Sequence, residues 1–303
     1  MRIGTRGSAL AIAQTRTVAD AITAATGEPV ELVEITTVGD RSTAPVERLG
    51  IGVFVSALRD ALAAKEIDAA VHSYKDLPTA PADGLLVAAV PERADPRDVL
   101  ISRDSLPLAE LPAGARVGTG APRRVAQLRA ARPDLEVVPV RGNVDTRLRR
   151  VAAGDLDAVV LAWAGLARLG RVAEITETLD PAVLLPAPAQ GALAVECRAG
   201  ESDLIEVLAT LDHPATRAVI TAERAFLSTL EAGCSAPVAG LAELTDDGEL
   251  RLHGAVFSPD GQRTIRRVRG GPAAAPAELG RELAAELLAA GAGTLMGGGA
   301  RAR

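Results

Sequence analysis

The sequence predicts an α/β protein with two α/β units followed by a smaller α+β unit. Strand-like apolar segments alternate with amphipathic helical segments over most of the chain, which is typical of mostly parallel sheets covered by helices. The turn-rich "PERADPRD" (91–98) and the proline-rich "LLPAPAQ" (184–190) interrupt this alternation. The length of 303 residues also exceeds that of one ordinary domain and favours two or three.

The first unit begins with "RIGT", which predicts a short strand. Ser8 is a candidate N-cap for an alanine-rich helix that runs to about Gly27. Further along, "VELVEITTV", "DAAVHS" and "LLVAAV" predict strands, and residues 54–65 predict a helix.

The second unit repeats this order without obvious sequence identity. "ARVGTGAPRRVAQLRAARPD", "LEVVPVRGNVDTRLRRVAAG" and "LDAVVLAWAGL" each predict a strand followed by a helix. Later elements are a strand at 192–197, helices at 202–211 and 214–231, strands within "LRLHGAVFSPDGQRTIRRV" and a helix at 277–290. We therefore expect domain 1 at 1–91 with 192–210, domain 2 at 97–186, domain 3 at 214–295 and a disordered tail at 296–303.

Composition and charge exclude several classes of protein. The net charge of -6 argues against a general nucleic-acid binder. Apolar runs fall far short of the ~20 residues that a membrane span needs, and the first residues lack a signal-peptide pattern, so we expect a cytoplasmic location. Nothing else suggests export, so both cysteines are expected to be reduced. The three histidines lack metal-like partners, and no metal site is predicted.

Arginines are concentrated at turns that follow predicted strands. Residues 116–150 contain nine arginines and three acidic residues. Open α/β sheets bind ligands at such turns, and arginine pairs well with carboxylate or phosphate, so we expect a ligand with several negative charges. No turn matches a nucleotide-binding motif. The turns are "TRGS", "GTGAPRR" and "RGNVDTR", with candidates Arg6, Ser8, Arg123, Arg124, Arg141 and Arg147.

The segment "VHSYKDLP" carries the other candidate chemistry. The chain has only two lysines, and Lys65 suits the C-terminus of a predicted helix. Lys75 lies at the end of a predicted strand in a chain that otherwise uses arginine, which indicates a need for an ammonium group there. Asp76 is placed to move a proton or to stabilise positive charge. For His72, packing in the core is the preferred interpretation.

The two cysteines differ in their surroundings. Cys197 ends the strand-like "ALAVEC" and is expected to pack as a small hydrophobic residue. Cys234, in "LEAGCSAPV", follows a helix and a glycine. From its chemistry alone, Cys234 is still more simply interpreted as an inert thiol.

Together these motifs resemble the porphobilinogen deaminase (hydroxymethylbilane synthase) family. The matching segments are "TRGSALA", "VHSYKDLP", "ERADPRDVL", "RRVAQL", "RPDLEVVPVRGNVDTRL", "AGLARLG", "LPAPAQGALAVECR" and "TAERAFLSTLEAGCSAPV". The resemblance implies two domains like the halves of a periplasmic binding protein with the active site in the cleft between them, plus a smaller α+β C-terminal domain with a cysteine on a loop. It also implies a monomer.

The resemblance further implies a transferase of tetrapyrrole (haem-type) biosynthesis. Such an enzyme condenses four porphobilinogen units head to tail, releases ammonia and yields hydroxymethylbilane. Its cofactor would be a dipyrromethane, held by a thioether to Cys234. Because each pyrrole carries an acetate and a propionate, the growing product is a polyanion, which accounts for the arginines.

By the same resemblance, motif positions receive expected roles. The catalytic residues would be Arg6, Lys75 and Asp76. The cofactor would be bound by Cys234, Ser8, Lys75, Asp76, Thr119, Arg123, Arg124, Arg141 and Gly142. The substrate would be bound by Arg6, Arg141, Arg147, Arg168 and Gln190.

The chain departs from the family pattern at four positions of interest. Ile51 stands where a basic residue is usual and Ala57 where a glutamate is common, while Gly120 and Ala121 replace paired serines. Ile51, Gly120 and Ala121 leave open a paralogue with impaired elongation. The two-lobed architecture and the arginine turns leave open a second alternative, a non-enzymatic protein that binds small anions and needs neither Asp76 nor Cys234.

Overall fold

The computed structural model describes residues 1–35, 55–231 and 236–296. Within them, the chain forms two compact units. The first comprises Met1–Ala94 and Gly191–Arg217, and the second comprises Asp95–Gln190 with the described residues from Ala218 onward. The proposed boundaries of three domains remain a prediction.

The strands and helices of the described residues are numbered in chain order. The strands are β1 (Arg2–Thr5), β2 (Glu31–Glu34), β3 (Ala69–Ser73), β4 (Leu85–Ala89), β5 (Asp98–Ser102), β6 (Arg116–Thr119), β7 (Glu136–Pro139), β8 (Ala158–Ala162), β9 (Glu177–Thr178), β10 (Leu193–Arg198), β11 (Val238–Leu244), β12 (Glu249–Phe257) and β13 (Thr264–Pro272). The helices are α1 (Ala9–Thr26), α2 (Ser56–Ala63), α3 (Pro122–Ala131), α4 (Val144–Ala152), α5 (Trp163–Arg168), α6 (Ser202–Ala209), α7 (Pro214–Thr229), α8 (Pro276–Ala289) and α9 (Ala292–Leu295).

A five-stranded sheet forms the centre of the first unit, in the order β2-β1-β3-β10-β4. β1 pairs in parallel with both β2 and β3, whereas β10 is antiparallel to β3 and β4. Ser8 caps α1 by accepting a hydrogen bond from the backbone N–H of Ala11, and Gly27 ends the helix in a left-handed conformation. The predicted α1 is thus confirmed. The predicted strand at 30–38 is shorter where described, and its last residues lie outside the described ranges.

The second unit contains a sheet of the same design, in the order β7-β6-β8-β5-β9. Here β6 is parallel to β7 and β8, and β5 is antiparallel to β8 and β9. A separate antiparallel sheet, β11-β12-β13, follows in the chain. The topology confirms the mixed α/β fold class with a smaller α+β part near the C-terminus.

The two five-stranded sheets share a short sequence repeat that the sequence analysis missed. "RIGT" forms β1 and "RVGT" forms β6. In each, the backbone N–H of the arginine donates to an aspartate before the neighbouring strand, from Arg2 to Asp68 at 2.7 Å and from Arg116 to Asp157 at 2.8 Å. The two α/β halves therefore use the same local device to align adjacent strands.

Three strands were not predicted, namely β5, the two-residue β9 and β11. β5 begins at Asp98, which the sequence analysis placed in a boundary segment, and β11 lies before the predicted C-terminal strands. No helix within the described ranges is both long enough and apolar enough to cross a bilayer.

Candidate functional site

In the first unit, the predicted residues lie at one edge of the sheet. Because β1 and β3 are parallel neighbours, the turn after β1, with Arg6 and Ser8, and the turn after β3, with Lys75 and Asp76, emerge at the same edge. The Ser8 hydroxyl oxygen accepts the Ala11 N–H at 3.2 Å and so sets the start of α1. This edge combines a helix N-terminus with basic residues, as an anion site requires.

Asp76 lies in a short 3-10 helix, Tyr74–Asp76, that is fixed on both sides. Before it, the Ser73 hydroxyl accepts a hydrogen bond from the Gln14 side-chain amide at 2.9 Å. After it, Leu77 is buried against apolar neighbours. The Asp76 side chain itself is exposed, so the fold presents this carboxylate to solvent on an anchored turn.

In the second unit, Arg123 and Arg124 are buried around one carboxylate. Asp98 is fully buried at the start of β5 and accepts Arg123 Nη1 at 2.6 Å and Arg124 Nη2 at 2.7 Å. Arg123 also donates to the Gln190 side-chain oxygen at 2.9 Å and to the Leu185 carbonyl at 3.1 Å. Its guanidinium is thus largely engaged within the protein.

Arg124 is engaged less completely. Its Nη1 donates to the carbonyl of Val160 at 3.0 Å, while its buried Nε has no hydrogen-bond partner among the described residues. Burial would raise the pKa of Asp98, but the attraction of both guanidinium groups outweighs it and holds that pKa well below its usual range. The trio of Asp98, Arg123 and Arg124 therefore keeps one net positive charge.

Further arginines add to this positive charge. Burial lowers the pKa of Arg147 to about 10, and repulsion by Arg124 and Arg141 contributes to that shift. Burial also lowers the pKa of Arg168 to about 10. Arg147 Nε donates to the carbonyl of Gly142, a left-handed glycine with φ of 94°, at 2.9 Å. Arg124, Arg141 and Arg147, called here the arginine cluster, thus lie close enough for their positive charges to repel one another.

Three other predicted residues have defined places in the second unit. Thr119 is fully buried at the end of β6, where its hydroxyl oxygen accepts the N–H of Ala121 at 3.4 Å. Gln190 is also fully buried, and its amide nitrogen donates to the Pro96 carbonyl and to Asp98 at 2.7 and 2.8 Å. Gly142 precedes Asn143, which caps α4.

Sequence reasoning missed the acidic partners of these groups. Asp98 was missed because a charged residue at the end of the proline-containing segment 91–98 looks like part of a turn. Glu196 was also missed: it lies within β10, binds Arg59 at 2.8 Å, and lies 3.3 Å from Nε2 of the buried His72. His72 is thus a core residue, as expected, but one with a buried carboxylate neighbour. A single acid inside an apolar strand was the available signal for Glu196.

Comparisons with known proteins agree with the family resemblance of the sequence motifs. A family model described as "Porphobilinogen deaminase, dipyromethane cofactor binding domain" matches residues 1–206, and one described as "Porphobilinogen deaminase, C-terminal domain" matches residues 218–289. The chain belongs to the porphobilinogen deaminase family. Dipyrromethane is the cofactor of this family, and the chain contains the domain that binds it.

Individual relatives match this chain over nearly its whole length. A porphobilinogen deaminase from Nocardia farcinica is 60% identical over 98% of this chain and 88% of its own length. One from Mycobacterium tuberculosis strain H37Rv is 58% identical over 98% of this chain and 99% of its own. A periplasmic substrate-binding protein from Coxiella burnetii is a remote structural match, with a TM-score of 0.45 and 15% identity over 72% of this chain and 94% of that one. The family assignment rests on the sequence matches.

The residues of the second unit fit a porphobilinogen deaminase cofactor that carries several carboxylates. The arginine cluster supplies net positive charge, and the orphaned Arg124 Nε supplies an unused donor. The described residues include no group of three His, Cys, Asp or Glu side chains arranged to hold a metal ion.

The structure also bears on the departures from the porphobilinogen deaminase pattern. A Cβ added at Gly120 would lie 2.7 Å from the carbonyl oxygen of Val140, so a serine there requires the backbone to shift. The glycine therefore suits this chain's own turn. Ala57 is partly buried on α2, and Ile51 lies outside the described residues, as does Cys234.

Proposed function

We propose that this chain condenses four porphobilinogen molecules head to tail into hydroxymethylbilane. In each condensation the aminomethyl C–N bond breaks, a C–C bond forms to a pyrrole α-carbon, and ammonia and a proton leave. Water is added when the linear product is released. The observation that supports this proposal best is the arginine cluster, in a chain that matches porphobilinogen deaminases over nearly its full length.

The charges suit this substrate. Each porphobilinogen carries an acetate and a propionate, and a carboxylate placed among Arg124, Arg141 and Arg147 relieves their mutual repulsion. Arg6, directly after β1, and Arg168, at the end of α5, contribute further positive charge. The cluster binds and orients carboxylates. A bound nucleotide is not favoured, because the chain lacks the glycine-rich motif of a nucleotide-binding loop.

Cys234 is the proposed attachment point of the dipyrromethane. The other cysteine, Cys197, is fully buried in β10, an inner strand of the first sheet. Burial raises the pKa of its thiol to about 11. A buried, protonated thiol can neither accept a bulky group nor react readily. When bound, the dipyrromethane supplies the pyrrole α-carbon from which the chain of substrate units is extended.

Asp76 is the proposed catalytic residue. Its exposed carboxylate on an anchored turn can accept pyrrole N–H donors and stabilise the positive charge that develops as ammonia leaves. Lys75, on the same turn, and Arg6 bind carboxylates or assist this step. Ser8, Thr119 and Gly142 shape the turns around the bound pyrroles, and Arg123 and Gln190 hold Asp98.

We further propose that the protein acts in the cytoplasm as a monomer. The alternative of a non-enzymatic anion-binding protein is less favoured, because it needs neither Asp76 nor Cys234. A paralogue with impaired elongation is distinguished from the active enzyme by the length of the product.

The test is incubation of the purified chain with porphobilinogen. Ammonia and tetrapyrrole are measured together, and the proposal predicts four ammonia molecules per tetrapyrrole. Asp76→Asn should lower turnover by at least about 100-fold, as expected for the loss of an electrostatic stabiliser. Asp83→Asn, another exposed carboxylate of the first unit, is the control and should keep turnover. Absence of ammonia release by the wild-type chain would refute the proposed function.

A further inference from the structure

Residues 184–190 connect three parts of the second unit. At one end, the backbone of Leu185 pairs with the Gln127 side chain of α3, at 2.7 Å for its N–H and 3.0 Å for its carbonyl. In the middle, the carbonyl of Pro186 accepts the N–H of Gly240 in β11 at 2.9 Å. The 184–190 segment therefore joins the helix that carries Arg123 and Arg124 to the C-terminal sheet.

Glu223 holds the far end of this segment. It is fully buried on α7, and its two carboxylate oxygens accept backbone N–H groups from Ala189 at 2.5 Å and from Ala242 in β11 at 2.8 Å. Ala189 has a φ of 62°, in the left-handed region that costs a non-glycine residue free energy. The carboxylate of Glu223 is thus part of what keeps Ala189 in this conformation.

Ala189 in turn directs Gln190. Because the conformation of Ala189 sets the direction of the next peptide, it sets where the Gln190 side chain points. That side chain accepts from Arg123 and donates to Asp98, and Asp98 also binds Arg124. Hydrogen bonds on either side of the peptide bond between Ala189 and Gln190 therefore link Glu223 to Arg124 of the arginine cluster, entirely within the second unit.

We propose that Glu223 is a positioning residue for carboxylate binding by the arginine cluster, acting through Ala189 and Gln190. The proposal rests on the proposed function, since the carboxylates in question are those of porphobilinogen and of the dipyrromethane. Neutralising Glu223 removes one of its two acceptors and turns an N–H donor toward a backbone N–H. Ala189 then loses its restraint, Gln190 shifts, and Arg124 meets its ligand in a poorer geometry.

The test measures two properties of Glu223→Gln. The first is the rate at which apo chain, made in cells that lack porphobilinogen, gains the covalent group when porphobilinogen is added, followed by intact-protein mass. The second is KM for porphobilinogen, measured with chains that already carry the covalent group. We expect loading to slow and KM to rise by about tenfold each, which corresponds to about one misplaced hydrogen bond to a charged group.

A control and a double variant separate positioning from general loss of stability. Glu177→Gln removes a similar contact, a carboxylate that accepts the Leu108 N–H at 2.6 Å, from elsewhere in the second unit. It should change loading and KM by less than about twofold. If Glu223 acts through Gln190, the variant with both Glu223→Gln and Gln190→Ala should be no worse than Gln190→Ala alone.

Two results would overturn the role of Glu223: additive effects in the double variant, or KM and loading changes no larger than those of Glu177→Gln. If Glu223→Gln does not fold, Glu223→Asp keeps the charge but shortens its reach, and it is judged by the same criteria. A wild-type chain that neither loads nor consumes porphobilinogen refutes the proposed function instead, so the two failures are distinguishable.

Discussion

Replacement of Asp98 by asparagine should destabilise the second unit strongly. Asp98 Oδ1 accepts Arg124 Nη2 at 2.7 Å and Gln190 Nε2 at 2.8 Å, while Oδ2 accepts Arg123 Nη1 at 2.6 Å. In Asp98→Asn the amide group that replaces Oδ2 faces another donor, and two buried guanidinium groups lose their counter-charge. Removing one partner of a buried ion pair costs about 3–5 kcal/mol, a large share of the ~5–15 kcal/mol that stabilises an ordinary domain.

The assay is equilibrium unfolding in urea, with the free energy of unfolding compared between wild type and variant. Because the pKa of Asp98 is lowered in the folded state, its stabilising effect is present above its unfolded pKa of about 3.9 and is lost as pH falls toward the folded pKa. The difference between the two proteins should therefore be constant from about pH 5 to 8 and shrink only in strong acid. Asp134→Asn, which breaks the more exposed pair with Arg132, is the control and should lose far less stability. A loss below about 1 kcal/mol for Asp98→Asn would show that Asp98 is not the shared counter-charge of Arg123 and Arg124.

Three further predictions concern buried or tightly packed positions. Thr15→Val should raise the free energy of unfolding by up to about 1 kcal/mol, because the buried Thr15 hydroxyl has no hydrogen-bond partner among the described residues; a loss in urea unfolding would contradict this. Gly261→Ala should cost more than about 2 kcal/mol in the same assay, because its φ is 77° and a Cβ would lie 2.3 Å from the carbonyl oxygen of Ala126. Gly248→Ala, with φ of 80° but open space around it, should cost only about 1 kcal/mol, and equal losses at both glycines would be inconsistent with the steric explanation. Cys197 should resist a thiol reagent at pH 8 in the native chain and react after unfolding in urea, because burial raises its pKa to about 11; labelling of the native protein at Cys197, located by peptide mass mapping, would be evidence against its burial.

Much of the fold was predictable because local patterns and tertiary structure agree. The cap at Ser8 and the apolar periodicity of residues 9–26 predict α1, and the strand-turn-helix segments of the second unit appear in the structure at nearly the predicted positions. There is a physical reason why β5 was not predicted. β5 opens with a charged residue, Asp98, whose burial depends on Arg123 and Arg124 from a later helix. Periodicity in one segment cannot show a partner that is supplied by another.

The candidate site shows the same division. Turns after parallel strands predict where arginines gather, and motif matches assign Asp76 and Cys234 their expected roles. The sequence does not show that Arg123 and Arg124 share one buried carboxylate, because this depends on β5 running antiparallel beside β8. Nor does it show Glu223, which precedes an arginine in "AERAF" and looks like part of a charged helix face, although it is fully buried.

We propose above all that this chain carries a dipyrromethane on Cys234. The most direct test is the intact mass of the protein purified from cells that make porphobilinogen, compared among wild type, Cys234→Ala and Cys197→Ala. We expect the wild type and Cys197→Ala to carry the mass of two linked pyrrole units and Cys234→Ala to lack it. An unmodified wild type, or a modified Cys234→Ala, would show that Cys234 does not carry the dipyrromethane.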